Sequence, residues 1–223
     1  MPTRESSSAA VWAILRKECR SEWRTRYGLN AALLFAVTTL AEVSFAIGRL
    51  GDRSDVLAAL LWMVILFAAL ASLSHAFVRE VEGHTLTMLR LIASPTSIAL
   101  GKLLFNLLFL GLIEVVTVPL FLVLMAAPAP RWAPFLATLA VGSTALAVTS
   151  TLVGALIAQS RGRGALFAGV SFPLLMPLLL AAVRATRAQW LGVSAAAELR
   201  LLAAYALALL AAGLLLYDHL WED

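Results

Sequence analysis

"FVREVEGHTLTMLRLIASPTSIALGK", residues 77–102, separates two long apolar runs. It carries Arg79, Glu80, Glu82, His84, Arg90 and Lys102, while the runs beside it are almost free of charge. A helix crosses a bilayer with about 20 mostly apolar residues. Charged side chains at the centre of such a helix cost about 2.5 kcal/mol or more each. The stretch therefore marks the water side of a membrane, and the two runs mark spans.

Composition agrees. The chain has 223 residues, 61% hydrophobic and 13% charged, with a mean hydropathy of +0.91. A soluble domain is about half apolar and about a quarter charged. The net charge of +4 comes with no arginine-rich run, so it fits a cytoplasmic membrane rim and not nucleic-acid binding. Cys19 is the single cysteine, which excludes an internal disulfide. No short apolar segment with a small-residue cleavage site precedes the first long run, so no cleavable signal peptide is expected.

Six spans are expected, at 29–48, 56–78, 103–126, 133–158, 165–183 and 199–217. The short alternating strands of an outer-membrane barrel are absent from the pattern. With the N-terminus inside, 11 of the 17 Lys and Arg residues fall on the inner segments and 6 on the outer ones. Both termini are therefore expected in the cytoplasm, and 77–102 lies in a cytoplasmic loop. The chain reads as one transmembrane domain with no soluble domain and no clear repeat.

The N-terminal segment "AVWAILRKECRSEWRTR" is basic and helical in period. Trp12, Leu15, Cys19 and Trp23 line one apolar face, with Arg16, Lys17, Arg20 and Arg24 flanking or opposing it. Such a helix lies in the headgroup layer, as an anchor or as an elbow joined to the first span. Trp132 in "APAPRWAP" and Trp190 in the loop 184–198 suit the outer aromatic belt. Glu42 and Glu114 fall inside spans one and three, as packing or dimer contacts or as a proton relay. Asn106 and the Ser and Thr residues of span four are the candidate partners of Glu114. The small residues of 142–156 allow close helix packing, within one chain or at a dimer face. Pro119, Pro173 and Pro177 are expected to kink their helices.

Within the opening stretch, Gly83 permits a turn and Thr85 caps a short helix, "LTMLRLIA". Leu86, Leu89 and Ala93 share its apolar face, and Ser94-Pro95 ends it. A helix this short is not stable alone. It rests in the headgroups, or it seats in a groove of a cytoplasmic partner. Gly101-Lys102 is only a fragment of a P-loop. The earlier glycine position holds Thr96, and Leu103 stands where Ser or Thr is required. If ATP is used, a partner binds it.

The pattern "FVREVEGHTLTMLRLIASP" followed by "GKLLFNLLFL" resembles the cytochrome c maturation permease family of heme exporter protein B. The matching positions are Phe77, Arg79, Glu80, Glu82, Thr85, Leu86, Leu89, Leu91, Pro95, Gly101, Lys102 and Asn106. A second match, "RGRGALFAGVSFPLLMPLLLAAV", carries Arg161, Gly162, Leu166, Pro173, Leu174, Pro177 and Leu178. His84 and Thr87 depart from the family pattern. The resemblance implies an all-α permease of the ABC-2, or type-2 exporter, kind in a bacterial inner membrane. It also implies a homodimer driven by a separate ABC ATPase subunit, with a heme-handling membrane protein and a heme chaperone as further partners. Arg79, Glu80, Glu82, Gly83, Thr85, Leu86, Met88, Leu89, Pro95 and Lys102 would then form the ATPase-coupling loop. No catalytic residue is expected in this chain, because ATP would act on the partner subunit. His75, His84 and His219 all fall at or near the cytoplasmic side, and no dense Trp cluster exists. Heme is therefore expected on partner subunits, and this chain is expected to bind no metal or cofactor directly. The competing readings are a generic ABC-2 exporter of a drug, lipid or glycan, an ion-coupled carrier using Glu42 and Glu114, and a scaffold.

Overall fold

A computed structural model describes residues 7–48, 50–51, 53–82, 94–159 and 163–220. Seven helices occupy them: α1 Ser7–Thr25, α2 Tyr27–Ile47, α3 Ser54–Glu82, α4 Pro95–Leu124, α5 Trp132–Gln159, α6 Arg163–Trp190 and α7 Ala196–Leu220. Helices α2 to α7 fall on the six apolar runs. Among the described residues, four stretches are long and apolar enough to cross a membrane: Tyr27–Ile47, Thr96–Leu124, Trp132–Gly154 and Ala196–Leu215.

α5 is the central helix, packed against α3, α4, α6 and α7. Within its most apolar part 72% of residues are buried, against 17% for α2 and α7. Its small residues explain the placement. Gly142, Ser143, Ala145, Ala147, Thr149, Ser150 and Thr151 are all buried, so neighbouring helices approach closely on several sides. The small-residue stretch thus serves packing within one chain. The helices around it expose large apolar side chains to the outside, including Val115 and Val123 on α4 and Leu215 on α7, as does Phe45 on the more peripheral α2. A surface this apolar suits hydrocarbon, not water.

One end of the bundle gathers the connectors 48–53, 125–131 and 191–195. Ser44 Oγ donates to the Leu124 carbonyl at 3.2 Å, and Leu50 N to that of Met125 at 3.2 Å. Trp190 Nε1 donates to the Pro128 carbonyl at 3.0 Å, and Phe135 packs between the rings of Trp132 and Trp190. Both expected belt tryptophans are therefore at this end.

Two expected boundaries move. α6 runs to Trp190 instead of stopping at 183, so Arg184 and Arg187 ride on a helix. Ala181, Ala182, Ala185, Thr186, Ala188 and Gln189 keep one face buried beyond the first arginine. α4 begins at Pro95, so Thr96 to Lys102 is its first two turns and not a lead-in. α4 and α6 continue through Pro119, Pro173 and Pro177 without a break.

Candidate functional site

The expected coupling loop falls between α3 and α4. Gly83, Thr85, Leu86, Met88 and Leu89 lie outside the described residues. Arg79, Glu80 and Glu82 belong to the last turns of α3, and Pro95 opens α4. The exit of the loop is capped. Ser94 is extended, and its Oγ accepts from Ser97 N at 3.3 Å, with Pro95 in the first turn. Proline suits that position because its missing N–H has no partner there in any helix.

α1 is packed against α4. A Cβ on Gly101 would stand 2.7 Å from Ile14 Cγ2 and 3.2 Å from the Val11 carbonyl oxygen. Only glycine allows this approach. Ile14, Leu15 and Glu18 are buried on this face of α1. Lys102, next to Gly101, is also buried, although the sequence reading places it in a loop. The expected apolar face of α1 is corrected by these contacts: Leu15 is buried, whereas Trp12 and Trp23 are exposed, as is Cys19. The tryptophans form a separate stripe beside the exposed Arg16, Arg20 and Arg24. In a bilayer an outward tryptophan meets headgroups, so exposure costs it little.

α1 meets α2 through one residue, Arg26, whose φ of 52° is left-handed. Glu22 reaches across this elbow, and its Oε1 accepts from Leu29 N at 2.8 Å. A carboxylate there is favoured by the α2 dipole as well as by the hydrogen bond. Sequence reasoning missed Glu22 and Glu18 because the carboxylates sit on α1 and act on, or pack at, another helix. Partial burial, and then the Glu18 carboxylate, raise the Cys19 thiol pKa above its ordinary value.

A second polar group lies along the α4–α5 seam. Asn106 Nδ2 donates to Thr151 Oγ1 at 2.9 Å, and Ser143 Oγ donates to Glu114 Oε1. The pairs are eight residues apart on each helix, with the buried Leu110 and Ala147 halfway between, as antiparallel packing requires. Asn106 thus bonds Thr151 and not Glu114. The partner of Glu114 comes from the Ser and Thr residues of 133–158. Beside Ser143, Gly142 lies under Trp62, whose Nε1 donates to Thr186 Oγ1 at 2.7 Å. Glu42 is exposed on α2 and takes no part in this seam. The two carboxylates therefore do not form one pathway within the chain, which weakens the carrier reading.

Neutral hydrogen bonds between helices in a membrane are worth about 0.6 kcal/mol on average. Glu114→Gln retains an acceptor for Ser143 and is expected to leave stability and function unchanged. Glu114→Leu is expected to lower stability by about 1 kcal/mol. Thermal unfolding in detergent checks both, and loss of function in Glu114→Gln with normal stability would show a proton role instead. Among the described residues, no three of His, Cys, Asp and Glu come together as a metal site. The arrangement ties α4 to α5.

A family model described as CcmB protein matches residues 9–216. Heme exporter protein B of Rhodobacter capsulatus is 29% identical over 170 residues, 75% of this chain and 78% of that protein. Heme exporter protein B of Bradyrhizobium diazoefficiens is 30% identical over 186 residues, 82% of this chain and 83% of that protein. Heme exporter protein B of Pseudomonas aeruginosa is 30% identical over 192 residues, 85% of this chain and 86% of that protein. The chain belongs to the CcmB protein family.

Proposed function

From that membership we propose that the chain is the membrane subunit of a heme exporter-type ABC complex serving cytochrome c maturation. The match over residues 9–216 carries the reading, because it spans the loop and all six apolar runs. In this reading α2 to α7 are six transmembrane helices of an ABC-2-like permease in a bacterial inner membrane. A separate ATPase subunit binds ATP, and this chain is not itself catalytic. The segment 77–102 receives the ATPase. Closure of an ATPase dimer presses Leu86, Met88 and Leu89 and shifts α3 and α4, which bracket them. α1, fixed to α4 at Gly101, moves with that end. Heme stays with partner subunits, a heme-handling membrane protein and a heme chaperone, and the cycle delivers heme or releases the loaded chaperone. The chain works as a homodimer.

A mild-detergent pull-down from native membranes tests this. An ATPase together with a heme-handling membrane protein is the expected result. An ATPase alone would favour an exporter of a drug, lipid or glycan. Repeated absence of an ATPase would remove the coupling reading.

Orientation has its own test, because Cys19 is a natural single label. With both termini cytoplasmic, a membrane-impermeant maleimide is expected to label Cys19 in inverted vesicles and not in intact spheroplasts. The raised thiol pKa leaves little thiolate at neutral pH, so labelling accelerates about tenfold per pH unit until that pKa is reached. Labelling in intact spheroplasts would reverse the topology.

A further inference from the structure

The elbow between α1 and α2 borders a cavity of about 400 Å³ against α4. Trp23, Arg26 and Asn30 stand at its polar rim, and Phe105, Leu108 and Leu112 form its apolar floor. Leu108 and Leu112 are exposed on one of the helices long enough to span a membrane, so the floor faces the bilayer and not the core. Arg26 joins a basic surface helix to a candidate span, which puts its guanidinium at headgroup depth. The cavity thus has the two halves of a lipid: an apolar slot below and a cationic rim above.

The charge favours an anion at the rim. The Arg26 guanidinium lies over the Trp23 ring, 5.4 Å from its centroid. A cation–π contact of this kind holds the guanidinium in place and leaves N–H donors for a phosphate. Exposed Arg16, Arg20 and Arg24 follow one another at four-residue spacing along α1, on a face beside the cavity and outside its lining, where they add positive potential at the same surface. Glu22 also borders the cavity and keeps its negative charge while its Oε1 accepts from Leu29 N, but over residues 7–26 five Lys and Arg residues stand against two carboxylates, so the surface around the rim is net positive. A zwitterionic headgroup would gain little from this row, whereas an anionic one gains at each cation near the surface.

We infer that this groove is a binding site for one anionic phospholipid, its phosphate at Arg26 and one acyl chain along Phe105, Leu108 and Leu112. The site pins α1 and the elbow to the membrane surface. It requires only that α2 and α4 cross a bilayer, so it stands or falls separately from the ATPase-coupling reading.

The test is native mass spectrometry of the purified full-length protein, delipidated and titrated with phosphatidylglycerol or phosphatidylethanolamine. Phosphatidylglycerol is expected to be preferred about fivefold. Arg26→Asn should abolish the preference, since asparagine accepts the left-handed backbone while removing the charge. Arg26→Lys should retain most of it, and Arg131→Gln, an exposed cation at the opposite end, should change nothing. Leu108→Trp fills the groove from an exposed position and should remove one bound lipid per chain without unfolding the protein. Equal retention of both lipids by the wild type, or an unchanged preference in Arg26→Asn, would overturn the inference. A photo-cross-linker at Leu112 that captures a protein instead of lipid would also overturn it.

Discussion

Gly142→Ala is expected to destabilise the folded protein by about 3 kcal/mol, at the upper end for an overpacked core. The added methyl would stand 2.2 Å from Trp62 Cη2, 2.8 Å from Cζ2 and 3.0 Å from Cζ3. The ring cannot swing aside. It is fully buried in the central cluster, and its Nε1 is held by Thr186 Oγ1 at 2.7 Å. The strain therefore passes into α3, α5 and α6 together. Gly111→Ala is the control: its Cβ would meet nothing within 4 Å, and alanine favours the helix by about 1 kcal/mol. Trp62→Phe shortens the ring at the point of contact, so the double variant Trp62→Phe/Gly142→Ala should lose less than the two single losses summed. Thermal unfolding of the detergent-solubilised protein reads all four variants. A Gly142→Ala protein as stable as wild type would show that the α3–α5 contact yields.

Leu86→Asp is expected to lower coupled ATP turnover about tenfold or more, with membrane insertion unchanged. By sequence spacing, Leu86, Leu89 and Ala93 are expected on one face of a short helix in the loop segment. If that face seats in an apolar groove of an ATPase, a carboxylate there must be desolvated without a partner. An anchor residue of such a contact typically costs about 2 kcal/mol or more when lost. Thr87→Asp, which the same spacing puts off that face, should cost far less. ATP hydrolysis by the copurified complex in nanodiscs measures both. Equal turnover in wild type and Leu86→Asp would remove this face from the coupling path.

The helices were legible because apolar runs and charged breaks are set by the solvent, and the solvent here is a bilayer. Their ends were less so. Arg184 looked like the end of a span, yet the alanines that follow carry α6 on to Trp190. The same solvent misleads on α1. Spacing put Trp12, Leu15, Cys19 and Trp23 on one apolar face, but Leu15 packs inward with Ile14 while Trp12 and Trp23 are exposed, as suits tryptophan in a headgroup layer. That Glu114 would need a polar partner, Asn106 or a serine or threonine from 133–158, followed from the cost of a lone carboxyl in hydrocarbon. Which one required the register of α4 against α5. Glu22 left no local signal, because a cap supplied seven residues upstream, across a helix break, matches no capping pattern. For the loop itself, residues 83–93 rest on sequence and family membership.

Site-specific cross-linking tests the central claim most directly. With Cys19→Ser as background, Leu86→Cys gives one thiol in the segment between α3 and α4. Coupled to a short photo-cross-linker in native membranes, it is expected to capture an ATPase subunit, more strongly when a non-hydrolysable ATP analogue closes the ATPase dimer. Capture of lipid alone, with or without the nucleotide, would contradict the coupling role of residues 77–102.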